Sequence, residues 1–225
     1  NSYRIIWVPE TIGAIAYCAL NESKMKKIKS GLVVTTVGGP GCFSYKQSFD
    51  ANHPLNSVVE DVLKDEGLEY NKYPFDIRGS DERQYSSQGF RINTISLFKD
   101  KYYEYPYYHT SLDNLDFISP DDVKQSLYLH LKILEKIENE KIYRSRYNSC
   151  EVMLSKHNLY EKIGGAYSHK SGDYSELDLI LWILFWINEN TTLRSLSHFL
   201  KIDLATLEII AEMLIEKEIL EYVQK

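Results

Sequence analysis

Three short stretches of the chain carry residue types that could act on a carbonyl or hold a metal. In Pro9-Glu10-Thr11-Ile12-Gly13, Glu10 follows the apolar run Tyr3–Val8 and opens a helical pattern. Ligands of open α/β sheets gather at the carboxyl ends of strands, a suitable place for a carboxylate that takes a proton. An acidic residue there also complements the helix dipole, and position alone does not separate the two roles. In Tyr108-His109-Thr110-Ser111-Leu112-Asp113-Asn114, a neutral His109 could ligate zinc with Asp113 orienting its ring. An ordinary loop histidine is the plainer alternative. Gly79-Ser80-Asp81-Glu82-Arg83-Gln84-Tyr85 sets two carboxylates beside an arginine. Asp81 or Glu82 could ligate a metal or position a substrate amine, or form local ion pairs within an Asx-type turn.

Other candidates carry less. His130 falls among leucines on a helical pattern, and His53, His157, His169 and His198 have no ligand spacing to one another. Gly38-Gly39-Pro40-Gly41 is too short and wrongly spaced for a phosphate-binding loop. There is no nucleophile elbow, no Cys-x-x-Cys and no His-Glu-x-x-His. The cysteines Cys18, Cys42 and Cys150 are odd in number and without ligand spacing, as expected of free thiols in a reducing compartment.

The elements that would position these residues alternate. Tyr3–Val8 reads as a buried strand, Ile12 to about Ile28 as a helix, and Gly31–Val37 as a second strand closed by the glycine cluster. Pro54 to about Glu66 is a helix stopped by Gly67, and Leu68–Pro74 and Thr94–Phe98 are further strands. The tyrosine-dense segment from Tyr102 to Tyr108 could line a pocket or simply pack. Ser119, Pro120, Asp121 and Asp122 then give a strong helix start, and the helix runs to about Tyr143. The pattern predicts an α/β layer with a largely parallel sheet.

Beyond about residue 168 the pattern changes to helices at Glu176–Ile187, from Thr192, and from Asp203 to Lys217, then a strand at Ile219–Val223. Three short helices and a strand suggest a winged-helix-type domain. The expected domains are 1–156 and 175–225, with a glycine-bearing linker at 157–174.

A net charge of −6 gives no electrostatic footprint for nucleic acid, and the third helix adds Glu208, Glu212 and Glu216. Packing or homo-oligomerisation is the expected use of that domain. The longest apolar run, Leu177 to Ile187, is interrupted by Asp178 and too short to span a bilayer. The expectation is a soluble, cytoplasmic protein that does not engage membranes.

Taken in order, the three motifs resemble a bacterial aminopeptidase-like family of unknown function, often associated with polysaccharide biosynthesis and similar to the co-catalytic zinc aminopeptidases. The resemblance extends over nearly the whole chain. It implies a zinc-aminopeptidase-like core acting on a small peptide or amide-containing substrate. It further implies Glu10 as general base on a zinc-bound water, His109 as a zinc ligand, and Asp81 in the segment matching the clan's Ser-Asp-His turn. Glu82, Arg83, Tyr85 and Tyr108 are the candidate substrate contacts, and Asp113 the group behind His109. Three departures stand out. The clan's paired glutamates are Glu10-Thr11 here, Gly38-Gly39 stands where relatives offer an aspartate, and the upstream segment with a further histidine and bridging aspartate lies outside this sequence. Zinc is therefore expected of the complete protein.

Overall fold

Strands form where β-branched and aromatic residues cluster between glycine-rich turns. The computed structural model describes residues 2–147, 149–160, 174–188 and 191–223. They fall into two units, Asn1–Asn139 and Glu140–Lys225.

The first unit contains strands β1 (Ser30–Val34), β2 (Phe43–Lys46), β3 (Tyr70–Tyr73) and β4 (Asn93–Phe98) in the order β1-β4-β2-β3. β1 runs parallel to β4 and β2 parallel to β3, while β2 and β4 are antiparallel. Its helices are α1 (Ile12–Leu20), α2 (Glu22–Met25), α3 (Pro54–Asp65), α4 (Asp81–Tyr85) and α5 (Pro120–Asn139). This mixed, mostly parallel α/β sheet agrees with the alternation read from sequence.

Side chains alternate across a strand, so β2 sends Phe43 and Tyr45 to one face and Ser44 and Lys46 to the other. Phe43 and Tyr45 join Val58, Val59 and Leu63 of α3, Ile95 and Leu97 of β4, and Leu129 and Ile133 of α5 in the main core. All four β2 residues are buried, so this strand is covered on both faces. A smaller cluster joins Cys18, Met25 and Ile92 with Tyr85 and Phe90, where α1 meets α4.

The second unit pairs β5 (Tyr143–Ser145) antiparallel with β6 (Leu220–Tyr222) beside α6 (Glu176–Trp186), α7 (Leu193–Leu200) and α8 (Leu204–Glu216). Ser175 and Asp178 form a capping box at the start of α6, and Thr192 and Ser195 do the same for α7. Leu179, Ile183, Leu196, Leu207, Leu214 and Leu220 fill its core. The unit begins at Glu140 because β5 completes the ribbon with β6, whereas sequence placed the boundary after residue 156. Most of the expected linker, residues 161–173, lies outside the described residues.

Several element assignments change. Tyr3–Val8 is not a strand: it pairs with no strand among the described residues, and Trp7 is 91% exposed. The helix expected to reach Ile28 breaks at Asn21 into α1 and α2. β2 and β5 were not anticipated from the sequence. No helix among the described residues is long and apolar enough to cross a membrane.

Candidate functional site

The site is built upward from Lys46, the last residue of β2. Its side chain is 1% exposed and its ammonium donates to Asp76 Oδ1 at 3.1 Å, to Glu82 Oε1 at 3.2 Å and to the carbonyl of Arg78. The Phe75 ring centroid lies 5.4 Å away. All three ammonium donors are thereby engaged, as burial of a charge requires. One lysine thus pins the segment 75–82 to the sheet.

Above the ammonium, Glu82 Oε2 accepts the Ser80 N–H at 3.2 Å. A Cβ at Gly79 would collide with Glu82 Oε1 and come within 3.0 Å of Lys46 Nζ, so this close approach requires glycine. The Ser80 hydroxyl donates to Asp81 Oδ1 at 3.2 Å, so the 2.7 Å bond between Ser80 Oγ and Thr11 Oγ1 takes its hydrogen from Thr11. The Thr11 N–H donates to Asp81 Oδ1 at 2.8 Å. Both polar hydrogens of Thr11 therefore bind this loop. They hold the residue at φ 58°, a conformation that a β-branched side chain adopts only when its surroundings impose it.

Thr11 in turn fixes its neighbour. The Glu10 carboxylate approaches His109, with Oε2 3.9 Å from Nε2, and the two side chains are 59% and 64% exposed. That separation exceeds a hydrogen bond and suits an ion pair when the imidazole is protonated. His109 is also held at positive φ, 56°, and its ring stacks on Tyr108 with centroids 3.9 Å apart. Tyr108 packs edge-on against Tyr103, Tyr103 against Tyr102, and Tyr102 against the buried Phe98 that ends β4. An aromatic ladder thus ties His109 to the sheet. Burial, with the Glu10 charge second, pushes the Tyr108 phenol up to about 12.

The three sequence motifs meet at this place, but not all of their residues face it. Glu82, expected as a substrate contact, is buried and bound to Lys46 and the Ser80 amide. Tyr85 packs into the Cys18–Met25–Ile92 cluster, and burial pushes its phenol up to about 12. Arg83 keeps its Nε buried without a hydrogen-bond partner among the described residues. Asp113 accepts the Tyr105 hydroxyl at 2.6 Å and forms no bond with His109, whose orientation comes from Tyr108 instead.

Lys46, Ser80 and Asp100 escaped sequence reasoning. The sequence held no local signal for the buried ion pair, whose members stand 36 residues apart. Asp100 lies at the carboxyl end of β4, and burial raises the pKa of its carboxyl. Its oxygens fill the space that a Cβ on Gly39 or Gly41 would need, and the Gly41 N–H reaches it at 3.4 Å. The glycine cluster makes room for a carboxylate from the neighbouring strand.

A structural zinc requires four protein ligands and a catalytic zinc normally three. Glu10 and His109 converge, but Asp81 Oδ1 is engaged by Thr11 and Ser80. Among the described residues no group of three or more His, Cys, Asp or Glu is arranged to hold a metal. The described residues do not by themselves fit a zinc ion.

Comparison with known proteins agrees with the α/β core. A polysaccharide biosynthesis protein with an aminopeptidase-like domain from Clostridium acetobutylicum, provisionally so named, is 33% identical over 222 residues, covering 99% of this chain and 50% of that protein. The crystal structure of a protein from the same species, provisionally named a peptidase, superposes with a TM-score of 0.62 at 31% identity. That match covers 96% of this chain and 47% of the other. The chain thus spans about half the length of the relatives it matches. Residues 1–140 match the family model described as a domain of unknown function (DUF4910), and the chain belongs to that family.

Proposed function

We propose that this chain supplies the proton-handling part of an aminopeptidase-like amide hydrolase, with Glu10 as general base. The observation that carries this is the meeting of Glu10 and His109 at 3.9 Å on an exposed surface, from motifs far apart in sequence. The names of the two relatives, one aminopeptidase-like and one a peptidase, support the same reaction class. Glu10 takes a proton from water as it attacks the carbonyl and returns it to the departing amine. His109 lies opposite that carboxylate, and as a neutral imidazole it is the candidate zinc ligand. Zinc belongs to this proposal only in the complete protein, where ligands beyond the described residues would join His109.

A non-catalytic scaffold serving polysaccharide biosynthesis is the alternative, and the engagement of Asp81 by Thr11 favours it. In either case we propose a winged-helix type for the C-terminal unit, a reading that its three helices and two-stranded ribbon support. With Phe185 and Phe199 exposed, packing or self-association suits it better than nucleic-acid binding. Three free cysteines suit a cytoplasmic location. The test is hydrolysis of a panel of aminoacyl anilides by the complete protein, with bound zinc measured on the same sample. Hydrolysis supports the proposal, and a protein without metal and without activity on any member removes it.

A further inference from the structure

We infer that Lys46 is the positioning residue of the Glu10–His109 site, acting through loop 78–82 without touching either functional side chain. This rests on the functional reading above only for what the site does; the linkage itself is a matter of geometry. Lys46 binds the Arg78 carbonyl and the Glu82 carboxylate, so it holds both sides of Gly79-Ser80-Asp81. Glu82 fixes the Ser80 amide, while Ser80 and Asp81 fix both polar hydrogens of Thr11. Thr11 is covalently next to Glu10, and its positive φ sets the direction in which Glu10 leaves the chain. Each link is a hydrogen bond or a peptide bond. The one charge that anchors them is buried on a strand rather than on a loop. Rigid elements hold functional groups more accurately than loops do, and the ammonium gives this loop the rigidity of β2.

A merely structural lysine would loosen the whole unit when removed, whereas a positioning lysine loosens Thr11 selectively. Amide hydrogen exchange on the isotope-labelled full chain separates these cases. The reporters are the Thr11 N–H, bonded to Asp81, and the Leu97 N–H in buried β4. In Lys46→Met we expect Thr11 exchange to accelerate by about tenfold or more relative to Leu97. Removing one member of a buried pair endangers the fold, so the double variant Lys46→Met/Glu82→Gln, which leaves no buried charge unpaired and keeps an amide oxygen to accept the Ser80 N–H, is measured in parallel. The same selective acceleration is expected there, and it decides alone if the single variant does not fold. Thr11 and Leu97 accelerating together, or Thr11 unchanged, overturns the inference. No substrate is involved. A wild-type protein without hydrolase activity therefore ends the functional reading and leaves this one standing.

Discussion

The Asp81 carboxylate accepts the Thr11 amide at 2.8 Å, across 70 residues of chain. This bond joins the two motifs that sequence could only place in order. It also gives Thr11, the neighbour of Glu10, a task of its own. Thr11 docks the Glu10 turn onto the Ser80–Asp81 loop.

Asp81→Ala removes an ionised acceptor and leaves the Thr11 amide unpaired in a half-buried position. Such a change costs roughly 1.5 to 3 kcal/mol, read as a lower midpoint of chemical denaturation. Zinc content per complete protein is expected to stay the same. A loss of zinc without a loss of stability would make Asp81 a ligand instead.

The buried pair Lys46–Glu82 predicts an asymmetry. Lys46→Met strands a buried carboxylate and costs about 3 to 5 kcal/mol, while the double replacement by methionine costs far less because the one carboxylate left without its partner, Asp76, is exposed to water. Gly79→Ala destabilises by roughly 1 to 3 kcal/mol through the collision with Glu82. Denaturation of the three variants side by side checks the order, and equal losses for the single and double variants would contradict it.

Stability is expected to fall as pH drops below about 6.5, the ordinary value for histidine, in part through the half-buried His53 and the buried His130. Burial holds the pKa of both His53 and His130 below that value. The unfolded chain therefore binds the protons first, and the contribution is fully present above about 6.5 and lost towards the folded-state values. His53 Nδ1 accepts the Leu55 N–H at 3.2 Å as the N-cap of α3, a bond that protonation of that nitrogen destroys. His130 Nδ1 lies 2.7 Å from the Ser126 carbonyl, and its buried Nε2 has no partner among the described residues. His53→Asn keeps a cap and removes one titration, so the fall between about pH 7 and pH 5 should be shallower in that variant.

Thr192→Ala removes the hydroxyl that accepts the Ser195 amide at 3.2 Å and should cost about 1 kcal/mol of stability. Thermal melting of the variant checks this, and an unchanged melting temperature would show that the α7 cap contributes nothing.

Strong local chemistry made part of this structure legible in the sequence. Pro120 behind Ser119, and Gly67 after the helix opened by Pro54, each mark a helix boundary, and the three motifs identified Glu10 and His109 as residues worth pairing. What the sequence did not show depends on long-range contacts. Tyr3–Val8 has the composition of a strand, yet pairing partners rather than composition make a strand, and none is present among the described residues. Glu82 looked like a substrate contact because charged residues in loops are usually exposed. Its burial is set by Lys46, a residue 36 positions away in the chain. Asp113 was expected behind His109 from proximity in sequence, whereas the aromatic ladder through Tyr108 took that task.

The most direct measurement is the kcat/KM of the complete protein on an aminoacyl anilide, compared between wild type and Glu10→Gln. The substitution keeps the size of the side chain and its place opposite His109 while removing the base. Loss of general-base catalysis predicts a fall of about 10²- to 10⁴-fold with the fold intact. An unchanged kcat/KM would contradict Glu10 as the base, and with it the account of this site.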